Sequence, residues 1–165
     1  MLCGRGVGAA AKGIYATVTQ TADDLYEDIL PPVEATVDAL DKFNGAMAHI
    51  TSMVINVTNL LRECELAEPI DPKDEMADGL ERAEQGLRGG IDILRQKRSS
   101  AETDLLLQGD NERKVVSAYD LAIVALGGLH DASIDFRCAI MEGDASLESP
   151  EDTVSTSASD LYLCL

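Results

Sequence analysis

The stretch from Phe43 to Leu61 contains no Asp, Glu, Lys or Arg, although those residues make up 26% of the chain. Its apolar residues recur at steps of three or four, and the spacing continues on both sides, which is typical of an amphipathic helix. Because no charge interrupts the stretch, we expect its helix to sit centrally, with neighbours on most sides. The stripe consists of Val33, Val37, Leu40, Phe43, Met47, Ile50, Val54, Val57, Leu61 and Cys64.

The same stretch is about as long as a membrane span, which needs about 20 apolar residues. The polar side chains interspersed between Asn44 and Asn59 are too numerous for hydrocarbon surroundings. Lys42 and Arg62 place one cation at each end, so neither flank sets an orientation. We therefore predict no transmembrane segment, and we expect one polar row to face solvent. That row consists of Ser52, Asn56, Asn59 and Glu63.

The charge balance excludes some partners. The formal net charge is −17, from 30 acidic and 13 basic residues. Nucleic acids and anionic membranes are bound by clustered Lys and Arg, and the densest basic run here is only Arg95, Lys97 and Arg98. We therefore predict no nucleic-acid partner. Trp is absent and aromatic residues make up 4% of the chain, so the core is expected to be aliphatic.

Helix start and stop signals divide the rest of the chain. A stripe from Ile14 to Ile29 ends at a diproline, Asp71-Pro72 begins a third segment, and Gly109 separates that segment from a last helix over residues 112–142. Gly45 is expected to bend or break the helix that crosses it. The sequence predicts one all-α domain, an up-down bundle of about five amphipathic helices with flexible termini.

The predicted domain covers residues 14–143. Residues 1–13 are expected to be a flexible Gly-rich leader without the apolar centre of a secretory signal. Residues 144–165 form an acidic tail rich in Ser and Thr, with the apolar tip Leu161-Tyr-Leu-Cys-Leu165. The tip is expected to fold back on the bundle, with docking elsewhere as the alternative.

Two rows of small residues lie beside the helical stripes. Gly79, Ala83, Gly86 and Gly90 form the first row, which favours tight helix packing, with space left for another molecule as the alternative. Alanines every seven residues form the second and let two helices approach closely. They are Ala118, Ala125, Ala132 and Ala139.

Signals for catalysis are sparse. His49 and His130 are the two histidines, and each lies beside an apolar stripe, so a partly buried histidine is the simpler interpretation. If the protein is an enzyme, His49, His130 and Tyr119 are the candidate acids and bases. No metal-binding spacing or phosphate loop is present, so we predict neither a metal nor a cofactor.

Two modifications are suggested by position. In an up-down bundle the central and last helices run parallel, and Cys64 and Cys138 both lie near the end of their helix. Their axial heights then differ by only a few ångström, which allows a disulfide, with two buried thiols as the alternative. Asn56-Val57-Thr58 is an N-glycosylation sequon on the predicted polar side.

The order of these features resembles the fungal family of hydrophobic surface-binding proteins and cell-wall mannoproteins. The resembling segments are Val37–Gly45, the long amphipathic middle, Leu94–Arg98 and Val115–Leu126, within a span from about Thr17 to Glu142. The resemblance implies a small, secreted, all-helical protein of the cell wall that binds lipids or coats apolar surfaces. Without it, the lack of a recognisable leader favours a cytoplasmic protein.

Our first functional prediction is non-catalytic binding of an apolar molecule such as a fatty acid between the central and last helices. Wide apolar faces, methionines and few aromatic residues suit an adaptable cavity. Tyr119 and His49 are the polar groups placed to meet a head group. The alternatives are a cofactor-independent enzyme in the same cavity, and a helical interaction module that pairs, as in a homo-oligomer, through the alanine row. The predicted wall residues are Met47, Ile50, Val54, Val57, Leu87, Leu94, Tyr119, Leu126 and Leu129.

Overall fold

The structure, a computed structural model, describes residues 3–32, 35–64, 66 and 70–142. Those residues form four α-helices and no strand, which confirms the all-α prediction. The helices are α1 (Cys3–Asp24), α2 (Val37–Glu63), α3 (Lys73–Gln108) and α4 (Asp110–Glu142), and a π-helical turn, Leu25–Ile29, extends α1. The predicted C-cap Gly143 and the predicted tail 144–165 lie outside the described residues.

The predicted count of about five helices is wrong because Gly45 does not interrupt α2. Gly45 is exposed in the middle of the helix, and a Cβ there would meet nothing within 4 Å. A glycine in a helix costs about 1 kcal/mol. Burial of Phe43 and Met47 on either side contributes about 1.5–3 kcal/mol each, which outweighs that cost. One continuous helix therefore replaces the two that were predicted. It starts at Val37, capped by the side chain of Thr36, whose Oγ1 accepts a hydrogen bond from the Ala39 amide at 3.3 Å.

The Gly-rich opening is helical rather than a separate leader over residues 1–13. Helix α1 begins at Cys3, and Val7 and Ala11 are buried in the core. Gly6 and Gly8 sit where no neighbour lies within 4 Å of a Cβ position, so they leave the apolar side of the helix intact. Burial of Val7 and Ala11 offsets the low helix propensity of glycine, and residue 13 is not a structural boundary.

Neighbouring contacts define an up-down bundle. Helix α1 packs on α2 and α3, and α4 packs on the same two helices, so α1 and α4 lie on opposite sides. The pairs Glu84–Arg137 and Arg98–Asp120 show that α3 and α4 run antiparallel. Arg62 at the end of α2 faces Glu142 at the end of α4, so these two helices run parallel, as predicted.

The glycine row of α3 is a packing surface for α1. A Cβ at Gly79 would collide with the ring of Tyr15, and a Cβ at Gly90 would collide with Leu25. At Gly86 the nearest atom is the Ala22 Cβ, at 3.5 Å. Residue numbers rise together on the two helices along this contact, so α1 and α3 run parallel. The row therefore lets α1 approach α3 closely, which is the favoured of its two predicted roles.

The uncharged stretch of α2 is not central. Ile55 and Leu60 are exposed, and the whole predicted polar row, from Ser52 to Glu63, faces solvent. The outer face of α2 is neutral because it consists of Gly, Ala, Ser, Asn, His49 and the exposed apolar residues rather than charged ones, so the absence of charge did not mean burial on all sides. Helix α4, which packs on α2 and α3, has the most completely buried of the predicted stripes. Its fully buried members include Tyr119, Ala122, Leu126, Leu129, Ser133 and Phe136.

Candidate functional site

The predicted wall residues come together, but as a packed core. Eight of the nine are buried, and Ile50 is half-buried at the margin of the same cluster. They come from α2, α3 and α4, as the helical stripes predicted. The groove that the structure describes lies elsewhere and is lined by none of the nine. Their role as ligand contacts stays a prediction.

Tyr119 holds the connection between α1 and α2. Its hydroxyl donates a hydrogen bond to the backbone carbonyl of Pro32 at 3.2 Å, and Lys97 Nζ donates to the neighbouring carbonyl of Pro31. Burial raises the pKa of Tyr119 and lowers the pKa of Lys97. The carbonyls of the diproline that ends the first helical stripe therefore accept hydrogen bonds from side chains of α3 and α4, and the Pro32 carbonyl also accepts one from the Ala35 amide at 3.0 Å.

Replacing Tyr119 by Phe should lower the free energy of unfolding by about 1 kcal/mol at pH 8, because the Pro32 carbonyl loses one of its two donors and keeps only the Ala35 amide. In the wild type, absorbance of tyrosinate against pH should show a component that ionises above the ordinary tyrosine value of 10.0 and belongs to Tyr119. Since the folded pKa is the higher one, the contribution of the neutral phenol is fully present below pH 10 and is lost as pH rises through the folded pKa. Tyr26→Phe, at an exposed tyrosine, is the control and should leave that component in place. A late component that survives Tyr119→Phe would contradict the assignment.

The candidate acid–base groups do not converge. His49 is exposed on the outer face of α2, and Tyr119 is engaged with Pro32. His130 is mostly buried on α4, eleven residues beyond Tyr119, or about 16 Å along the helix axis. Its Nδ1 lies 3.2 Å from Asp131 Oδ1, and its Nε2 is buried without a hydrogen-bond partner. These three side chains therefore do not form one acid–base site.

An open groove lies between the first turns of α2 and the first turns of α4. It has a volume of about 350 Å³. Its floor is apolar, with buried Ala118 and half-buried Val37, and Leu121 extends along it with 60% of its surface exposed. Val124 lies one turn further along α4 and is 70% exposed. The groove is lined by Val37, Asp41, Arg113, Lys114, Ser117, Ala118 and Leu121.

The rim of this groove carries two cations, Arg113 and Lys114, and one carboxylate, Asp41, in an acidic protein. Arg113 and Lys114 are both exposed, and the Arg113 side chain is 83% exposed. The Arg113 Nη1 lies 4.0 Å from Asp110 Oδ1, at the limit of an ion pair, so its guanidinium can accommodate another anion. Ser117 adds a hydroxyl group to the lining. An apolar floor with two cations and a hydroxyl at one edge suits a molecule with an apolar chain and an anionic head.

The groove was missed because its residues fall off the main stripe of α4. Leu121 and Val124 lie three residues apart, between the buried positions Tyr119, Ala122 and Leu126. Large apolar residues at expected solvent positions, beginning about two turns after Arg113-Lys114, were the available signal.

The predicted disulfide and glycosylation positions are compatible with the structure, which does not test either modification. Cys64 and Cys138 are both half-buried, near the ends of α2 and α4, and the bridge between them stays a prediction. Asn56 is exposed on α2, and its glycosylation likewise stays a prediction. Among the described residues, no group of three or more His, Cys, Asp or Glu side chains is arranged to hold a metal ion.

One helix of the described chain is long and apolar enough to cross a membrane. The segment Arg113–Glu142 reaches a mean hydropathy of 1.3, and 33% of the window is buried inside the bundle. A core helix of a soluble protein passes the same test, and α4 packs against both α2 and α3. The indication is weak, and the absence of a transmembrane segment stays a prediction.

The fold and the groove define a class of protein, an all-α helical bundle with an open amphipathic groove at one end. Comparison with known proteins adds no family to that description: no family model, curated protein or solved structure matches the chain. Membership of the hydrophobic surface-binding family stays a prediction. Function must be inferred from the residues of the bundle itself.

Proposed function

We propose that the protein binds a single-chain anionic amphiphile, such as a fatty acid, without chemical change, in the groove between α2 and α4. The observation that carries this proposal is an apolar floor bordered by Arg113 and Lys114 in a chain of net charge −17. The groove volume of about 350 Å³ falls at the lower end of the usual range for small-molecule sites, about 300–1,000 Å³.

The proposal keeps the predicted class of ligand and moves its site. The interior residues first predicted as walls, such as Leu126 and Leu129, are fully buried and pack against one another. In the groove, the alkyl chain would lie along Ala118 and Leu121, and the anionic head would meet Lys114 and Arg113. Burial of methylene groups supplies the main attraction, at most about 0.8 kcal/mol each.

The two alternatives have less support. Catalysis by His49, His130 and Tyr119 lacks a common site, because the three side chains point to different parts of the bundle. Pairing through the alanine row is disfavoured because most of its members are already covered by α2 and α3. Ala118, Ala132 and Ala139 are buried, and Ala125 is half-buried.

Calorimetric titration of the full-length protein with laurate, below its micelle concentration, tests the proposal. Decanoate, two methylenes shorter, should bind about 5 to 15 times more weakly. Leu121→Asp places a carboxylate in the floor and should abolish measurable binding, and Lys114→Glu should weaken it. Dodecyltrimethylammonium, with the same chain length and a cationic head, should bind more weakly than laurate.

Val124→Asp is the matched control, since it makes the same change on the same helix, at a similarly exposed position one turn outside the groove lining. It should leave laurate binding unchanged. The proposal fails if native mass spectrometry and calorimetry detect no bound laurate, or if Leu121→Asp binds as well as Val124→Asp.

A further inference from the structure

The apolar tip of the chain, residues 161–165, is used neither by the helices described above nor by the proposed site. Leu161, Leu163 and Leu165 alternate, so an extended segment would present them on one side. The residues before the tip are acidic and contain no Lys or Arg. Their acidic members are Asp144, Glu148, Glu151, Asp152 and Asp160.

The groove is complementary to this segment in both respects. Its floor exposes Leu121 and its rim carries Arg113 and Lys114. Two other cations of the bundle are already engaged: Arg98 is bound by Asp120 at 2.5 Å, and Arg137 by Glu84 at 2.7 Å. The rim is therefore a place where exposed cations adjoin an exposed apolar floor, and an acidic segment with an apolar tip matches it.

The connecting chain is long enough to reach the groove. Ser117 lies 25 residues before Glu142 on α4, so the groove is about 37 Å from the end of that helix at 1.5 Å per residue. Residues 143–160 can span about 59 Å when extended. The tip can therefore return along α4 to the groove with chain to spare.

We propose that residues 160–165 dock in the α2–α4 groove of the same molecule. The leucines lie on Ala118 and Leu121, and Asp160 lies beside Lys114 and Arg113. Docking needs no lipid, but its consequence rests on the proposed function: the tip and an anionic amphiphile compete for one groove, so the tip lowers the apparent affinity for the ligand and is displaced when ligand is abundant.

Tyr162→Trp provides a direct test in the full chain, because the natural sequence contains no Trp and the variant has a single Trp that can be excited selectively over its tyrosines. Docking predicts an emission maximum shifted to the blue, and less quenching by acrylamide, relative to a synthetic peptide of residues 156–165 carrying the same Trp. Emission and quenching equal to those of the free peptide would overturn the proposal.

Three further variants in this background locate the docking surface. Leu121→Asp should return the Trp to the behaviour of the free peptide, and Val124→Asp and Ile55→Asp, at exposed apolar positions outside the groove lining, should not. Circular dichroism checks that each variant keeps its helix content. Loss of the shift with Ile55→Asp or Val124→Asp but not with Leu121→Asp overturns docking in the groove. A shift that disappears on dilution indicates docking on a second copy and overturns docking within one chain.

Competition separates this inference from the proposed function. A linked segment at an effective concentration of about 1 mM, with its own Kd of about 0.1 mM, weakens a competing ligand about tenfold. Leu161→Asp with Leu163→Asp should therefore bind laurate about tenfold more tightly than the wild type. If the Trp emission is shifted but neither the wild type nor the double variant binds laurate, docking of the tip is supported and the lipid proposal is rejected. If both proteins bind laurate with equal affinity and the Trp emission is unshifted, the lipid proposal is supported and docking of the tip is rejected.

Discussion

Replacing Arg137 by Met is expected to lower the free energy of unfolding by about 2–4 kcal/mol. Arg137 binds Glu84 through two hydrogen bonds, from Nε at 2.7 Å and from Nη2 at 3.2 Å. The Glu84 side chain is only 10% exposed, so removing its partner leaves a carboxylate poorly solvated between α3 and α4. The hydrogen bond to Glu84 is also the main reason that the pKa of Arg137 is raised. Urea unfolding followed by circular dichroism at neutral pH measures the change.

Two comparisons isolate the cause. Arg62→Met removes an exposed pair whose nearest atoms are 3.8 Å apart, and it should cost less than about 0.5 kcal/mol. The double variant Glu84→Met with Arg137→Met should recover stability to within about 1 kcal/mol of the wild type, because no charge is left without a partner. A loss for Arg137→Met no larger than that for Arg62→Met would show that the ion pair does not stabilise the bundle.

Gly90→Val is the second large effect, an expected loss of about 2–3 kcal/mol. A Cβ at Gly90 would collide with Leu25 Cδ2 and lie 3.1 Å from Leu126 Cδ2, and both leucines are fully buried. Neither leucine can move into solvent without losing its own burial, so α1 must shift away from α3. Thermal and urea unfolding measure the loss.

Gly127→Val is the matched control, because a Cβ at that position in α4 meets nothing within 4 Å. Valine has a somewhat better helix propensity than glycine, so this change should alter stability by less than about 0.5 kcal/mol. Equal losses in the two variants would mean that helix propensity, and not the close approach of α1, explains the result at Gly90.

The positions of the helices were predictable where the spacing of apolar residues and the local start and stop signals agree. Gly109 separates α3 from α4 as predicted, with a φ of 97° that glycine adopts readily. Asp71-Pro72 marks the start of α3 to within two residues. The stripe from Tyr119 to Ile140 corresponds to the buried face of α4 because both packing partners, α2 and α3, cover that face.

The errors arose where tertiary packing outweighs local preference. Glycine predicted a flexible start and a break at Gly45, but burial of Val7, Ala11, Phe43 and Met47 holds both segments in helices. The groove was not predictable from one helix, because it exists only where Val37 and Asp41 of α2 face the start of α4. Sequence period locates the buried face of each helix but does not specify which helices adjoin.

Because α1 and α4 lie on opposite sides of the bundle, the two helices differ in how easily each can separate from the rest. Helix α4 touches both α2 and α3, so these three would remain joined if α1 moved away. The attachment of α1 depends on its buried apolar stripe from Val7 to Leu25, on close packing against the glycine row of α3, and on the hydrogen bonds to the carbonyls of Pro31 and Pro32. Local opening should therefore begin with the separation of α1 from α2 and α3, because that separation costs less free energy than disrupting the α2–α4–α3 layer.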